Sequence, residues 1–348
     1  MKQRIWLIAL IGCSLFTSTA FGESPDLSKL KVIPGGQTIG VKLKSEGILI
    51  VGHHLIQTSD GQKQSPAALS NLRRGDLIFK LDGERIKNMG QFAEIVERAG
   101  QANENVEIEF KRNKDILKSR ITPLKDQTDG KYRLGIYIRD TAAGVGTLTF
   151  FAPKEGYYGA LGHVISDVDT QQPIPVGDGK IVHSNVISID KSENGKPGEK
   201  HAQFWKEDES IGTIEQNTQF GIFGEMKTNP QFGYSKQLIP VAEIDEVKEG
   251  PAKLYTVLDG QKVEPFSIEI TNVSHQTKPD LKGLVIKITD DRLLKKTGGI
   301  VQGMSGSPII QNGKLIGAVT HVFVNDPTSG YGCFVEWMLQ DAEKVTVE

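Results

Sequence analysis

The sequence predicts a mainly β protein in two parts, a small α+β domain followed by a larger domain of paired antiparallel barrels. Three observations carry this. Short Val/Ile/Thr/Phe runs recur between turn signals along a chain of 348 residues that includes 38 glycines. Helical apolar spacing before residue 125 is confined to two pieces. A polar, turn-rich stretch at residues 126–131 then divides the chain. A hydrophobic fraction of 38% is enough for two real cores. The formal net charge is -2 with both signs mixed along the chain, so neither a nucleic-acid footprint nor a polybasic membrane patch is expected.

Taken in order, residues 1–22 read as an export signal. Lys2 and Arg4 precede an apolar run over residues 5–16, and small or polar residues follow to Gly22, after which cleavage is expected. The run is shorter than the roughly 18 residues of a membrane span. A short uncleaved anchor is the alternative, and Leu10-Ile11-Gly12-Cys13 also resembles a lipoprotein box. With Cys13 in the leader, Cys333 has no partner in the mature chain, so no internal disulfide is possible. Cys333 reads as a small buried strand residue. No paired Cys/His spacing points to a metal, and no cofactor is implied.

Residues 31–125 form the first domain. A glycine-containing loop at Gly35-Gly36 runs into one strand and residues 47–52 form another, with His53 and His54 read as loop or surface residues. Ser65-Pro66-Ala67-Ala68-Leu69 opens a short helix, serine at the cap and proline at the first position. Gly75-Asp76-Leu77-Ile78-Phe79 is a strand that reaches a tight Asp82-Gly83 turn. Phe92, Ile95, Val96 and Ala99 then recur at helical spacing, and residues 106–110 alternate as a strand. This succession resembles PDZ domains of the bacterial protease-associated type, most closely over residues 65–83. The resemblance implies capture of peptide ends by strand addition. On that analogy the carboxylate-binding loop is residues 36–40 and the receiving strand begins at Val41, so that Gly36, Ile39, Gly40 and Val41 hold the peptide.

Residues 130–348 form the second domain, rich in short strands. Its chemistry centres on Gly303-Met304-Ser305-Gly306-Ser307-Pro308. A serine hydroxyl is a weak nucleophile that needs a base beside it and donors aimed at the oxyanion. The flanking glycines allow a sharp turn, so the amides of Gly303 and Ser305 are candidates for an oxyanion hole. Ser307 reads as structural. His163, in Gly159-Ala160-Leu161-Gly162-His163, lies in a small-residue, apolar setting that suits a general base with an ordinary pKa near 6.5. His321 is its rival or a cleft-lining residue, whereas His183 and His201 lie in polar turns. A carboxylate should orient the base. Asp167, Asp169, Asp190, Asp290 and Asp291 are all candidates, and spacing does not choose among them. Residues 191–209, charged and glycine-containing, are expected to form a surface excursion.

Together the PDZ-like segment, the Gly-Ala-Leu-Gly-His run, the strand end Ile288-Thr289-Asp290 and residues 297–308 resemble the stage IV sporulation protein B peptidases, exported signalling serine proteases of endospore-forming bacteria. The resemblance implies a chymotrypsin-like double β-barrel with Ser305 as nucleophile, His163 as base and Asp290 as orienting acid. It also implies a protein substrate, a membrane-anchored regulator of an intramembrane protease, cleaved between forespore and mother cell to trigger late sigma-factor activation. Family members cleave themselves near the N-terminus, but only residues 23–30 separate leader from PDZ-like segment here. An envelope quality-control protease and an inert PDZ adaptor are the alternatives.

Overall fold

The computed structural model describes residues 29–205, 209–227 and 236–345, so the leader reading lies outside the described residues. The chain starts with β1 (Lys31–Pro34) and the long β2 (Thr38–His53). It then builds a small unit from α1 (Pro66–Leu69), β3 (Leu77–Leu81), α2 (Met89–Ala102), β4 (Val106–Arg112) and β5 (Asp115–Ile121). Local chemistry sets these elements. The Ser65 hydroxyl accepts from the Ala68 amide at the start of α1, and Asn88 does the same for Gln91 in α2. Asp82 and Gly83 both take positive φ, 49° and 81°, as a tight hairpin turn requires. The apolar face of α2, Phe92, Ile95, Val96 and Ala99, closes over the sheet side chains Ile48, Ile50, Ile78, Ile108 and Phe110.

The next strand is β6 (Ile136–Phe151), as long as β2 and paired with it from Ile136 opposite His53 to Thr147 opposite Thr38. These two strands run through both parts of the molecule. β7 (Tyr157–Ala160), β8 (Val176–Asp190), β9 (Glu199–Phe204), β10 (Ser210–Thr213) and β11 (Gly221–Glu225) follow. They extend a curled sheet in the order β11-β7-β6-β2-β8, with β9 and β10 both on β8. The sheet bends back on itself, because the Lys227 amide donates to the Ile211 carbonyl at 2.9 Å. Residues 191–209 are therefore not simply a surface excursion: they contribute β9, which pairs with β8, and Lys200 within it is 1% exposed.

Residues 250–334 close the second barrel. β12 (Gly250–Val257), β13 (Val263–Val273), β14 (Leu284–Ile288), β15 (Pro308–Gln311), β16 (Lys314–Phe323) and β17 (Asp326–Phe334) join in the order β12-β13-β14-β17-β16-β15. The short helix α3 (Asp291–Thr297) precedes β15, and α4 (Val335–Ala342) packs Trp337, Met338 and Leu339 into the barrel core. The predicted fold class, mainly β with barrels and a small α+β domain, is the fold observed.

The division of the chain is different from the expected one. Residues 39–44 of β2 pair with β6 on one side and with β8 on the other, inside the curled sheet of the larger part. Ile39, Gly40 and Val41 thus belong to that sheet, and Gly36 lies in the loop that leads into it. A strand paired along both edges has no edge left to receive a peptide. The Gly36 loop is closed as well: a Cβ there would lie 2.6 Å from the Val263 side chain. The small domain is held between two strands of the larger one, instead of preceding it whole.

Candidate active site

Ser305 sits on the segment between α3 and β15, where the closed barrel meets the curled sheet. Gly303 and Gly306 have φ of 89° and 90°, a region open to glycine and costly for other residues. At Gly306 a Cβ would lie 2.2 Å from the Thr147 carbonyl oxygen and 2.4 Å from the Leu161 nitrogen. β6 fastens the loop from the other barrel. The Thr147 amide donates to the Ser305 carbonyl at 3.1 Å, and the Thr147 hydroxyl donates to the Gly303 carbonyl at 2.7 Å. The Thr149 hydroxyl donates to the Gly306 carbonyl at 2.7 Å. Among the described residues the amides of Gly303 and Ser305 donate to nothing, although the loop around them is tightly tied. Ser305 Oγ itself donates to the Thr320 carbonyl on β16 at 2.9 Å.

His163 reaches the same cleft from the curled sheet. After β7 the chain turns through two left-handed residues, Leu161 at φ 72° and Gly162 at φ 69°, and the first is a position that a branched side chain seldom takes. Asn217 braces the segment beyond, its amide oxygen accepting from the Ile165 nitrogen and its amide nitrogen donating to the Ile165 carbonyl, both at 2.8 Å. His163 Nδ1 lies 2.9 Å from the Val164 carbonyl oxygen. A carbonyl only accepts, so Nδ1 carries the hydrogen and Nε2 is left as the basic nitrogen. Burial pushes the imidazole pKa below its ordinary value. His321, on β16, stands beside it with ring centroids 5.4 Å apart, and burial and then the His163 charge push its pKa down too. Ser305, His163 and His321 all line one cleft of about 710 Å³, with apolar walls that include Val41, Val301, Val322 and Val324.

The candidate carboxylates lie elsewhere. Asp167 and Asp169 are both paired with Arg139, and Asp190 with His201. Asp290 caps α3: its carboxylate accepts from the Arg292 amide at 3.0 Å and the Ser267 amide at 3.2 Å, and Arg292 Nη2 lies 3.0 Å away. The Arg292 guanidinium holds the Asp290 pKa at about 2. The Val164 carbonyl occupies the place on His163 that the orienting acid was expected to fill. Sequence reasoning missed Asn217 and Thr147, whose roles come from partners 52 and 156 residues away.

A further edge lies in the small domain. Residues 136–139 of β6 pair with β2 on one side, and on the other, beside α2, they pair with no strand among the described residues. Leu134 and Gly135, the latter at φ 75°, lead into this edge.

A nucleophile loop braced between a closed β-barrel and a curled half-barrel sheet, with a histidine on the same cleft, defines a serine peptidase of chymotrypsin-like architecture, here with a PDZ domain set into its first sheet. A scan of protein families places the particular group: SpoIVB peptidase S55 matches residues 130–339, more than half the chain, and a PDZ domain matches residues 57–112. The chain belongs to the SpoIVB peptidase S55 family and is a serine endopeptidase. No curated protein matches. Among solved structures, similarity is found to the PDZ domain of the SdrC-like protein Lmo2051 of Listeria monocytogenes, at 23% identity over 27% of this chain and 87% of that one, TM-score 0.22. The active form of the Rv3671c protease from M. tuberculosis is 14% identical over 59% of this chain and 74% of that one, TM-score 0.31.

Proposed function

We propose that this peptidase cuts a protein substrate with Ser305 as nucleophile and His163 as base, and that its biological role is signalling. The observation that carries the chemistry is the convergence of Ser305, His163 and two unengaged amides on one cleft. On substrate binding Ser305 Oγ leaves the Thr320 carbonyl and attacks the scissile carbonyl carbon, passing its proton to His163 Nε2. The developing oxyanion is held by the Gly303 and Ser305 amides. His163 then protonates the leaving amine, and water repeats the sequence on the acyl-enzyme. The Val164 carbonyl keeps the imidazole in the required tautomer, while Asp290 acts through α3 and the segment that carries the nucleophile. The apolar cleft walls favour uncharged side chains beside the cut.

The leader-like sequence of residues 1–22 and the family support the finer reading. In it the enzyme works outside the membrane of its compartment, between forespore and mother cell, on a membrane-anchored regulator whose cleavage releases late sigma-factor activation. Peptide ends are taken up at the free edge of residues 136–139, by strand addition beside α2. The test is Ser305→Ala in the full chain. Loss of at least three orders of magnitude in peptide cleavage and loss of covalent labelling by a fluorophosphonate are expected. Undiminished cleavage sinks the assignment. The same variant, placed in a sporulating endospore former, should leave the sigma-factor precursor unprocessed; normal processing there sinks the signalling role alone.

A further inference from the structure

Behind the nucleophile loop lies a buried lysine that the mechanism above does not use. Lys200, on β9, is 1% exposed, and no carboxylate pairs with it among the described residues. Its ammonium donates to Thr256 Oγ1 on β12 at 2.7 Å, and the Ser307 hydroxyl donates to the same oxygen at 3.2 Å. Thr256 therefore joins the lysine to the residue two positions after the nucleophile. The stem of Lys200 backs the other end of the loop: a Cβ built on Gly303 would find three of its carbons at 3.2, 3.4 and 3.6 Å. The backbone repeats the connection, with the Lys200 amide donating to the Gln302 carbonyl at 3.0 Å and the Gln302 amide to the Gly198 carbonyl at 2.8 Å.

A lysine buried without a counter-charge is costly, and burial pushes its pKa down to about 7. For stability alone, an apolar side chain of the same length would serve better. The cost is placed where the loop turns through Gly303 and Gly306, which must be set to within a fraction of an ångström for an oxyanion hole to work.

We propose that Lys200 is a positioning residue for catalysis, which sets the oxyanion loop by bracing Gly303 with its stem and tethering Ser307 through Thr256. This rests on Ser305 being the nucleophile. The test uses the full chain and a fluorophosphonate probe, whose reaction forms the Ser305 Oγ–P bond, breaks P–F, passes the hydroxyl proton to His163 and expels fluoride. Saturation kinetics separate probe binding from the bond-forming rate. Lys200→Met keeps the stem and removes the donor. We expect the bond-forming rate to fall about ten-fold, a part of the loss from deleting a whole oxyanion donor. Probe affinity should stay within about two-fold of wild type, and the melting temperature should be unchanged or higher. A rate within two-fold of wild type overturns the proposal, and so does a loss of rate matched by a loss of melting temperature. If that variant does not fold, Thr256→Val decides: it should lose the rate while Thr256→Ser recovers most of it, and equal rates for the two overturn the proposal. Ser305→Ala is run beside them; labelling of that variant at the wild-type rate would refute the nucleophile, a result separate from either lysine outcome.

Discussion

At the scale of single residues, the two facing imidazoles share the direction of their pKa shifts but not their burial, His163 being half-buried and His321 exposed, and the geometry gives them different work. Nδ1 of His163 is held by the Val164 carbonyl, which leaves Nε2 as a base of defined direction. Among the described residues no such hydrogen bond anchors His321. His163→Ala is expected to cost about four orders of magnitude in kcat, and His321→Ala less than about ten-fold, with steady-state kinetics as the measurement. A base acts only when neutral. Because burial holds the folded pKa of His163 below 6.5, the acid limb of kcat/KM should have its midpoint below pH 6.5. The same shift has a stability consequence of definite sign. The unfolded chain binds the proton more readily, so stability from this group is present above pH 6.5 and is lost as pH falls from there to the folded pKa. An acid limb at or above 6.5 would contradict the burial argument.

At the scale of elements, α3 and its cap make the sharpest test of Asp290. As a helix cap, the aspartate is replaceable by other capping side chains; as the orienting acid of a triad, it is not. Asp290→Asn keeps the acceptor for the Arg292 amide and should retain activity within about ten-fold, whereas Asp290→Ala should cost about 1–2 kcal/mol of stability, read by denaturant unfolding. A drop of several orders of magnitude for Asp290→Asn in a folded protein would restore the aspartate to the triad. Elements of this kind were legible because their signals are local. Ser65-Pro66, the Asp82-Gly83 turn and the apolar face of α2 each declare themselves within a few residues. The nucleophile loop stood out for the same reason, and each histidine was a candidate on its own local setting, but their facing arrangement was not. What escaped was long-range. Residues 38–45 carry the alternation of a strand whichever partners they take, and their partners lie in β6 and β8, far downstream in the chain. Lys200 sits in a charged stretch that reads as solvated, and only packing against the loop of residues 302–307 reveals its burial.

At the scale of the whole molecule, β6 is one strand with two tasks. Its start is the free edge of the PDZ domain and its later part, through Thr147, fastens the nucleophile loop. Between them Arg139 reaches sideways to Asp167 and Asp169, on the segment four and six residues beyond His163. Asp167 is 2% exposed, so it depends on this partner, and Arg139 is the connection between the strand edge of residues 136–139 and the histidine side of the cleft. Arg139→Met removes the charge while keeping much of the stem. With Arg139 35% exposed, the stability loss should be modest, roughly 1–3 kcal/mol, below that for a wholly buried pair. Activity should suffer more: kcat is expected to fall about ten-fold, and amide hydrogen exchange over residues 164–174 should quicken, while exchange in α2 stays as in wild type. Asp167→Asn should show the same pattern, and the double variant Arg139→Met/Asp167→Asn should be no worse than either single one, since both cut the same link. If the two single effects on kcat simply add, Arg139 and Asp167 act separately and β6 does not couple the PDZ edge to the catalytic histidine through them.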